Sequence, residues 1–324
     1  MSLSFKRIVS YALKASIFIL VIWYCYGLLT ENDALSQFKE LIVHIEPGVV
    51  VQTLLVVFVL MFANWFFEAL KWQFLCSRFQ YIRLMTAVES VLCGLSWAIF
   101  TPNRIGEYGG RVLFLKPRKR VFGVIGMLIG AISQMVITNI IGVIALCWFV
   151  GRYLELGEIM YVFICLFSVL YALFFFLLYF NIKLFHKWFL KIKYLRRFSR
   201  FFDLLLRYDR TDLKRVFVYS ISRYVIFTSQ YCILMQVIIP GLPLGEMVLM
   251  VFILFFVQSA LPSLDLFDVG VRSVTASFFF GYITSHTVAV MAIAAYIWLV
   301  NLIIPAVIGS VFTFKINFFG ARNN

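Results

Sequence analysis

The chain has 324 residues, 63% of them hydrophobic and only 14% charged, and a mean hydropathy of +0.96. A water-soluble core of this size cannot bury that much apolar surface, so lipid must be the solvent for much of the chain. The net charge of +14 does not mark a nucleic-acid binder, because the lysines and arginines collect in alternate loops between apolar runs.

Runs long enough to cross roughly 30 Å of hydrocarbon occupy residues 8–29, 48–70, 121–150, 159–180, 216–239 and 287–312. The first follows Phe5, Lys6 and Arg7, is too long for a signal peptide and has no small-residue cleavage site behind it. It is expected to stay as a first helix. Residues 31–46 read as a short surface helix. Basic loops lie at 71–83, 116–120 and 181–215 and from Lys315 onward, while "TENDALSQFKELIVHIE" and "GRYLELGE" are acidic on balance. This asymmetry predicts that both termini are cytoplasmic, with the basic surplus facing anionic lipid headgroups. The expected location is a bacterial or archaeal cytoplasmic (inner) membrane. Within 181–215, lysines and arginines interleave with Leu184, Phe185, Trp188, Phe189, Phe201 and Phe202. That pattern fits either a helix lying on the cytoplasmic leaflet or an ordinary positive-inside linker.

Two shorter apolar stretches remain, at 84–100 and 247–261, each followed by a turn-rich polar segment and another short apolar run. If both crossed fully, the loop charges would conflict. Each is therefore expected to enter and leave on one side, as re-entrant helical hairpins at 84–115 and 247–283. The hairpins resemble one another: "FTPNRIGEYGGR" and "ALPSLDLFDVGVR" both place a proline after the apolar run and an acid four residues before an arginine. The whole chain thus reads as a single all-α polytopic membrane domain. About six full crossings and two oppositely oriented hairpins form an inverted-topology repeat, with units at 48–150 and 216–312. Interrupted helices in inverted repeats are the mark of secondary transporters, whose sites lie where the broken helices meet.

Ionised groups at membrane depth cost about 2.5–3.5 kcal/mol each on insertion scales, so those that are kept need partners or a wet cavity. Glu107 and Arg111 are one helical turn apart, and Asp268 and Arg272 repeat the spacing. Each pair either neutralises itself and fixes a hairpin tip, or offers a guanidinium to phosphate, which arginine binds bidentately. In the second case Arg104, Arg111 and Arg272 hold the phosphate, while Glu68, Glu107, Asp265 and Asp268 balance the charge. In "NWFFEALKW", Glu68 is a candidate proton carrier or partner of Arg104, and Lys71 is expected to snorkel to the boundary. Arg223 calls for a carboxylate such as Asp265. Gln134, Asn139, Gln230, Gln258 and Asn301 read as interhelical hydrogen-bonding residues. Six scattered cysteines without a CxxC pair, and three distant histidines, indicate neither a metal site nor a nucleophile pair. No cofactor is expected.

"NWFFEALKW", "TPNRIGEYGGRVLFL" and "LPSLDLFDVGVR" resemble the lysylphosphatidylglycerol synthase transmembrane-region family, the flippase-like part of the multiple peptide resistance factor and its stand-alone relatives. Pro102, Arg104, Gly106, Glu107 and Arg111 match the family's first hairpin position by position, and Pro262, Gly270, Val271 and Arg272 match the second. Ser273 stands where a glutamate is usual, and Asp265 and Asp268 replace glycines. The resemblance covers about residues 10–315. It implies a flippase for an anionic or phosphate-bearing lipid: a phospholipid, an aminoacylated lipid or a polyprenyl-phosphate carrier such as undecaprenyl phosphate. No soluble aminoacyl-transferase domain is expected after the membrane part, so lipid synthesis is not implied. Candidate protein partners are a second copy of the chain or a lipid-synthesis enzyme. Two alternatives stand beside transport. One is a membrane enzyme acting on a lipid phosphate with Glu107 or Asp268 as general base; the other is a scaffold for an envelope-lipid synthase.

Overall fold

A computed structural model of the protein describes residues 40–41, 43–99, 101, 104–181, 208–261 and 268–313. The expected first helix at 8–29, most of the surface helix at 31–46, residues 182–207 of the basic segment, and Asp265 lie outside the described residues. The rest is helical, with no strand among the described residues.

Among the described residues ten α-helices follow in chain order: α1 Pro47–Ser77, α2 Leu84–Ile99, α3 Ile105–Val112, α4 Arg120–Tyr153, α5 Glu158–Phe180, α6 Arg210–Ile238, α7 Leu244–Ala260, α8 Asp268–Phe280, α9 Thr287–Trp298 and α10 Ile304–Thr313. A π-helical turn, Leu299–Ile303, joins the last two into one long rod. Local chemistry sets the boundaries. Pro47 opens α1, where a missing N–H costs nothing, and Pro117 starts the turn that leads into α4. Asp209 and Asp212 form a reciprocal capping box on α6. That box moves the start of α6 back to Arg210, so the basic stretch expected to run from 181 to 215 gives up its last residues to a helix.

Among the described residues, four rods are long and apolar enough to cross a membrane: Pro47–Ser77, Pro117–Tyr153, Glu158–Phe180 and Thr287–Thr313. The run at 216–239, expected as another crossing, lies in α6, which is long but too polar by composition to join them. Ser220, Arg223, Thr228 and Gln230 lower its hydropathy, and Ser220, Thr228 and Gln230 are buried inside the bundle. α5 makes the lipid environment plain. None of its apolar window is buried inside the protein, and Phe163, Phe167, Leu170 and Phe174 all face outward. A helix this apolar, with most of its surface left uncovered by protein, is stable in hydrocarbon and not in water. The protein is an all-α, membrane-embedded chain.

The order long, short, short, long occurs twice, as α1 to α4 and as α6 to α10. Packing between the two sets is reciprocal: α2 lies on α10, α7 lies on α4, and α1 runs along α6. Polar contacts fasten these seams. Trp72 Nε1 donates to Ser90 Oγ at 2.9 Å between α1 and α2, and Tyr208 Oη donates to the Leu75 carbonyl at 2.9 Å. Arg78, just past α1, pairs with the buried Asp212 of α6.

α2 and α3 touch backbone to backbone. A Cβ on Gly110 would come within 2.7 Å of the Gly94 Cα, so this close approach needs glycine on both helices. Gly110→Leu is expected to cost about 1–3 kcal/mol or more by overpacking, seen as a clear fall in melting temperature in detergent. Gly157→Ala, at a position with open space around it, should melt with the wild type. Equal melting of the two variants would refute the close α2–α3 packing.

Candidate functional site

α1 and α6 run side by side, and the short helices α3 and α8 bring further charges to their seam. The result is a cavity of about 550 Å³ that gathers Glu68, Lys71, Arg104, Glu107, Arg111, Arg223 and Arg272. Of the nine residues proposed from sequence, only Asp265 and Asp268 are not placed there: Asp265 is outside the described residues, and so is the side chain of Asp268, which opens α8. At 1.5 Å per residue, Glu68 stands about 14 Å along α1 from Ser77. The cluster thus lies more than two turns inside α1, one of the helices long and apolar enough to cross a membrane.

Glu68 is the hub. Its Oε1 accepts from Arg111 Nη1 at 2.7 Å and its Oε2 pairs with Lys71 Nζ at 2.7 Å. Oε2 also accepts from Arg223 Nη1, across the seam from α6. Two expectations are corrected here, and a third, that Arg223 takes a carboxylate, is met by Glu68, with Asp265 outside the described residues. Lys71 does not snorkel: it is 3% exposed and turned inward, because Glu68 sits one helical turn below it. Glu68 is bonded to Arg111 and Arg223, while Arg104 instead pairs with Glu107 at 3.1 Å along its own short helix. Arg223 finds its carboxylate in Glu68, because α1 and α6 are the most closely packed long helices and bring the two side chains together. The expected pair of Glu107 with Arg111 forms, one turn apart, and Arg111 therefore spans two carboxylates.

A chain of amides holds Arg223 in place. Arg223 Nε donates to Asn64 Oδ1 at 3.0 Å, and Asn64 Nδ2 donates to Asn301 Oδ1 at 3.4 Å. Asn301 Nδ2 donates to Gln230 Oε1 at 2.9 Å, and Gln230 Nε2 donates to the Val57 carbonyl at 3.0 Å. Asn301 lies in the π turn, where its carbonyl also accepts from Trp65 Nε1 at 3.0 Å. The Trp65 ring underlies the Arg223 guanidinium, 5.2 Å from centroid to carbon. Gln230 and Asn301 thus join helices as their sequence context suggested. Gln258 also joins two helices, accepting on α7 from Arg272 Nη1 of α8 at 2.9 Å on the cavity wall.

The cavity also presents polar groups with capacity to spare, one of which, on Tyr224, the sequence did not single out. Tyr224 Oη, Gln134 Oε1 and Gln258 Nε2 line it and make no hydrogen bond among the described residues. Tyr224 is one of 16 tyrosines and carried no distinguishing signal. Its place on the cavity wall depends on how α6 packs, which no local pattern encodes. Arg104 adopts φ 57° and ψ 26°, the one left-handed non-glycine residue among those described. It caps the N-terminus of α3 with its side chain 38% exposed toward the cavity. The arrangement can hold an anion: cations from α1, α3, α6 and α8 point into one space walled by apolar helices, where charge-assisted hydrogen bonds are strong.

No family model, no curated protein and no solved structure matches the chain.

Left-handed backbone costs an ordinary L-residue about 1–2 kcal/mol, and glycine almost nothing. Arg104→Gly and Arg104→Ala both remove the ion pair to Glu107, but only the glycine relieves the backbone. The glycine variant should melt above the alanine variant by an amount equivalent to about 1 kcal/mol. Coincident melting curves would refute the strained conformation at this turn.

Proposed function

We propose that the protein is a lipid translocase that carries an anionic or phosphate-bearing headgroup between the leaflets of a bacterial or archaeal cytoplasmic membrane. The observation that carries this reading is the convergence of Lys71, Arg111 and Arg223, drawn from both halves of the chain, on one carboxylate inside a cavity at membrane depth. A purely structural ion pair needs one cation per carboxylate and no cavity. A site that admits a phosphate needs several donors, a space, and walls that leave acyl tails in the surrounding lipid.

Helix lengths support re-entrant hairpins. α2 and α3 have 16 and 8 residues, and α7 and α8 have 17 and 13. At 1.5 Å per residue each falls short of roughly 30 Å of hydrocarbon. Two full crossings flank each hairpin in this reading, the two units lie in opposite orientation, and both termini are cytoplasmic. The reciprocal packing of α2 on α10 and α7 on α4 fits such an inverted repeat. Motion of the hairpins relative to the closely packed α1–α6 pair would then expose the cavity to each leaflet in turn. The protein acts in this reading as a carrier, with no bond made or broken.

The direct test is leaflet transfer in proteoliposomes, using labelled phospholipids and polyprenyl phosphates with an impermeant quencher. Wild type should transfer at least one phosphate-bearing lipid. Arg111→Ala and Arg272→Ala should each slow that transfer by about tenfold or more, the size expected when a charged hydrogen bond is lost. Transfer that is unchanged in both variants would overturn the site.

A further inference from the structure

The three cations that make the strongest case for an anion site are already occupied by a group of the chain itself. Glu68 Oε1 takes the Arg111 guanidinium and Oε2 takes both the Lys71 ammonium and the Arg223 guanidinium. Carboxylate and phosphate oxygens compete for the same donors in the same geometry. We infer that the Glu68 carboxylate is a resident stand-in for the headgroup phosphate, and that a phosphate entering the cavity binds by displacing it from Arg111 and Arg223.

The inference rests on the headgroup-carrier reading and assigns its phosphate subsite to Lys71, Arg111 and Arg223. Geometry makes the exchange feasible. Lys71 is three residues from Glu68 on the same helix, so that pair survives rotation of the glutamate about its own side chain. Arg111 and Arg223 come from α3 and α6, and their bonds to Glu68 break when it turns away. Glu107 stays on Arg111 throughout, so the guanidinium is never left without a counter-charge. Around this subsite, the buried Tyr224 lines the cavity, and its Oη is a donor that no described residue uses. A phosphate has oxygens enough to take it as well.

The same logic explains why the stand-in is needed. Three cations buried side by side repel one another and lose their hydration, a penalty that only an anion offsets. Glu68 supplies that anion when the site holds no lipid. Its removal should therefore make the fold depend on an external one.

The test uses the full chain purified in detergent, with two probes: inorganic phosphate, and a short-chain phosphatidic acid that carries the same phosphate on a lipid. Glu68→Gln should melt below wild type without added anion, regain most of the loss when either probe is added, and bind that probe about tenfold or more tighter than wild type. Recovery with both probes places recognition in the phosphate alone. Recovery with phosphatidic acid only places it in the phosphate together with its lipid anchor, and both results support the stand-in. Glu68→Asp keeps the charge on a shorter stem that reaches Arg223 less well, so its affinity should lie between the two. It carries the test if the glutamine variant fails to fold. Wild-type binding with no gain in either variant would overturn the stand-in role and leave the carrier reading intact. Failure of wild type and both variants to bind either probe would overturn both.

Discussion

One carboxylate in hydrocarbon, shared among three cations, is the constraint from which most of this fold can be argued. On insertion scales each charge at the bilayer centre costs about 2.5–3.5 kcal/mol, so Lys71, Arg111 and Arg223 would together oppose folding by roughly 10 kcal/mol if each stood alone. Glu68 lowers that cost only if α1, α3 and α6 arrive in one register. The charges therefore act as a specification. A slip of one residue in α6 would turn Arg223 away by about 100° and leave a buried guanidinium without its carboxylate. In apolar surroundings, where side-chain packing alone tolerates many registers, such pairs select one.

The helices that bear the cluster are held by contacts of a different kind. The amide chain from Arg223 through Asn64, Asn301 and Gln230 to the Val57 carbonyl is uncharged and fully buried over much of its length. In a membrane there is no water to satisfy these amides, so each contact weighs against an unpaired polar group rather than against hydration. Model systems give such bonds about 1–2 kcal/mol at most. Their number matters more than any one of them, and they fix the side-chain angle of Arg223 before any ligand arrives. Preorganisation of that sort lets an anion site bind without paying to order its own donors.

Much of this was legible in the sequence, and the reasons differ by element. Long apolar runs are their own signal, because lipid rewards length and composition directly; four of the expected crossings are recovered as long apolar rods. The charged motifs were legible because ionised residues in such a chain are rare and costly, which picked out Glu68, Arg104, Glu107, Arg111, Arg223 and Arg272. Pairing was less legible. Spacing predicted Glu107 with Arg111, since both lie on one helix. Glu68 with Arg223 depends on how two helices 155 residues apart are packed, and no local pattern encodes that. Lys71 was misread for a related reason: its position near the end of an apolar run suggests the interface, but α1 continues to Ser77 and keeps it inside. Tyr224 and the π turn at Leu299–Ile303 left no trace in composition or periodicity.

Where the charges sit also limits which parts can move. α1 and α6 carry Glu68, Lys71 and Arg223, and they pack along each other more closely than any other pair of long helices. Arg111 and Arg272 ride instead on α3 and α8, short helices that end a hairpin. A carrier that must open to both leaflets has to break some polar contacts at each step, and the cheapest to break are those with a substitute at hand. Contacts from α3 to Glu68 meet that condition, since Glu107 remains on Arg111 when Glu68 leaves. Contacts in the amide chain do not, because nothing replaces them in hydrocarbon. If the proposed carrier function holds, alternating access would therefore hinge at the short helices about the α1–α6 axis, with the left-handed Arg104 turn as the joint on the first side.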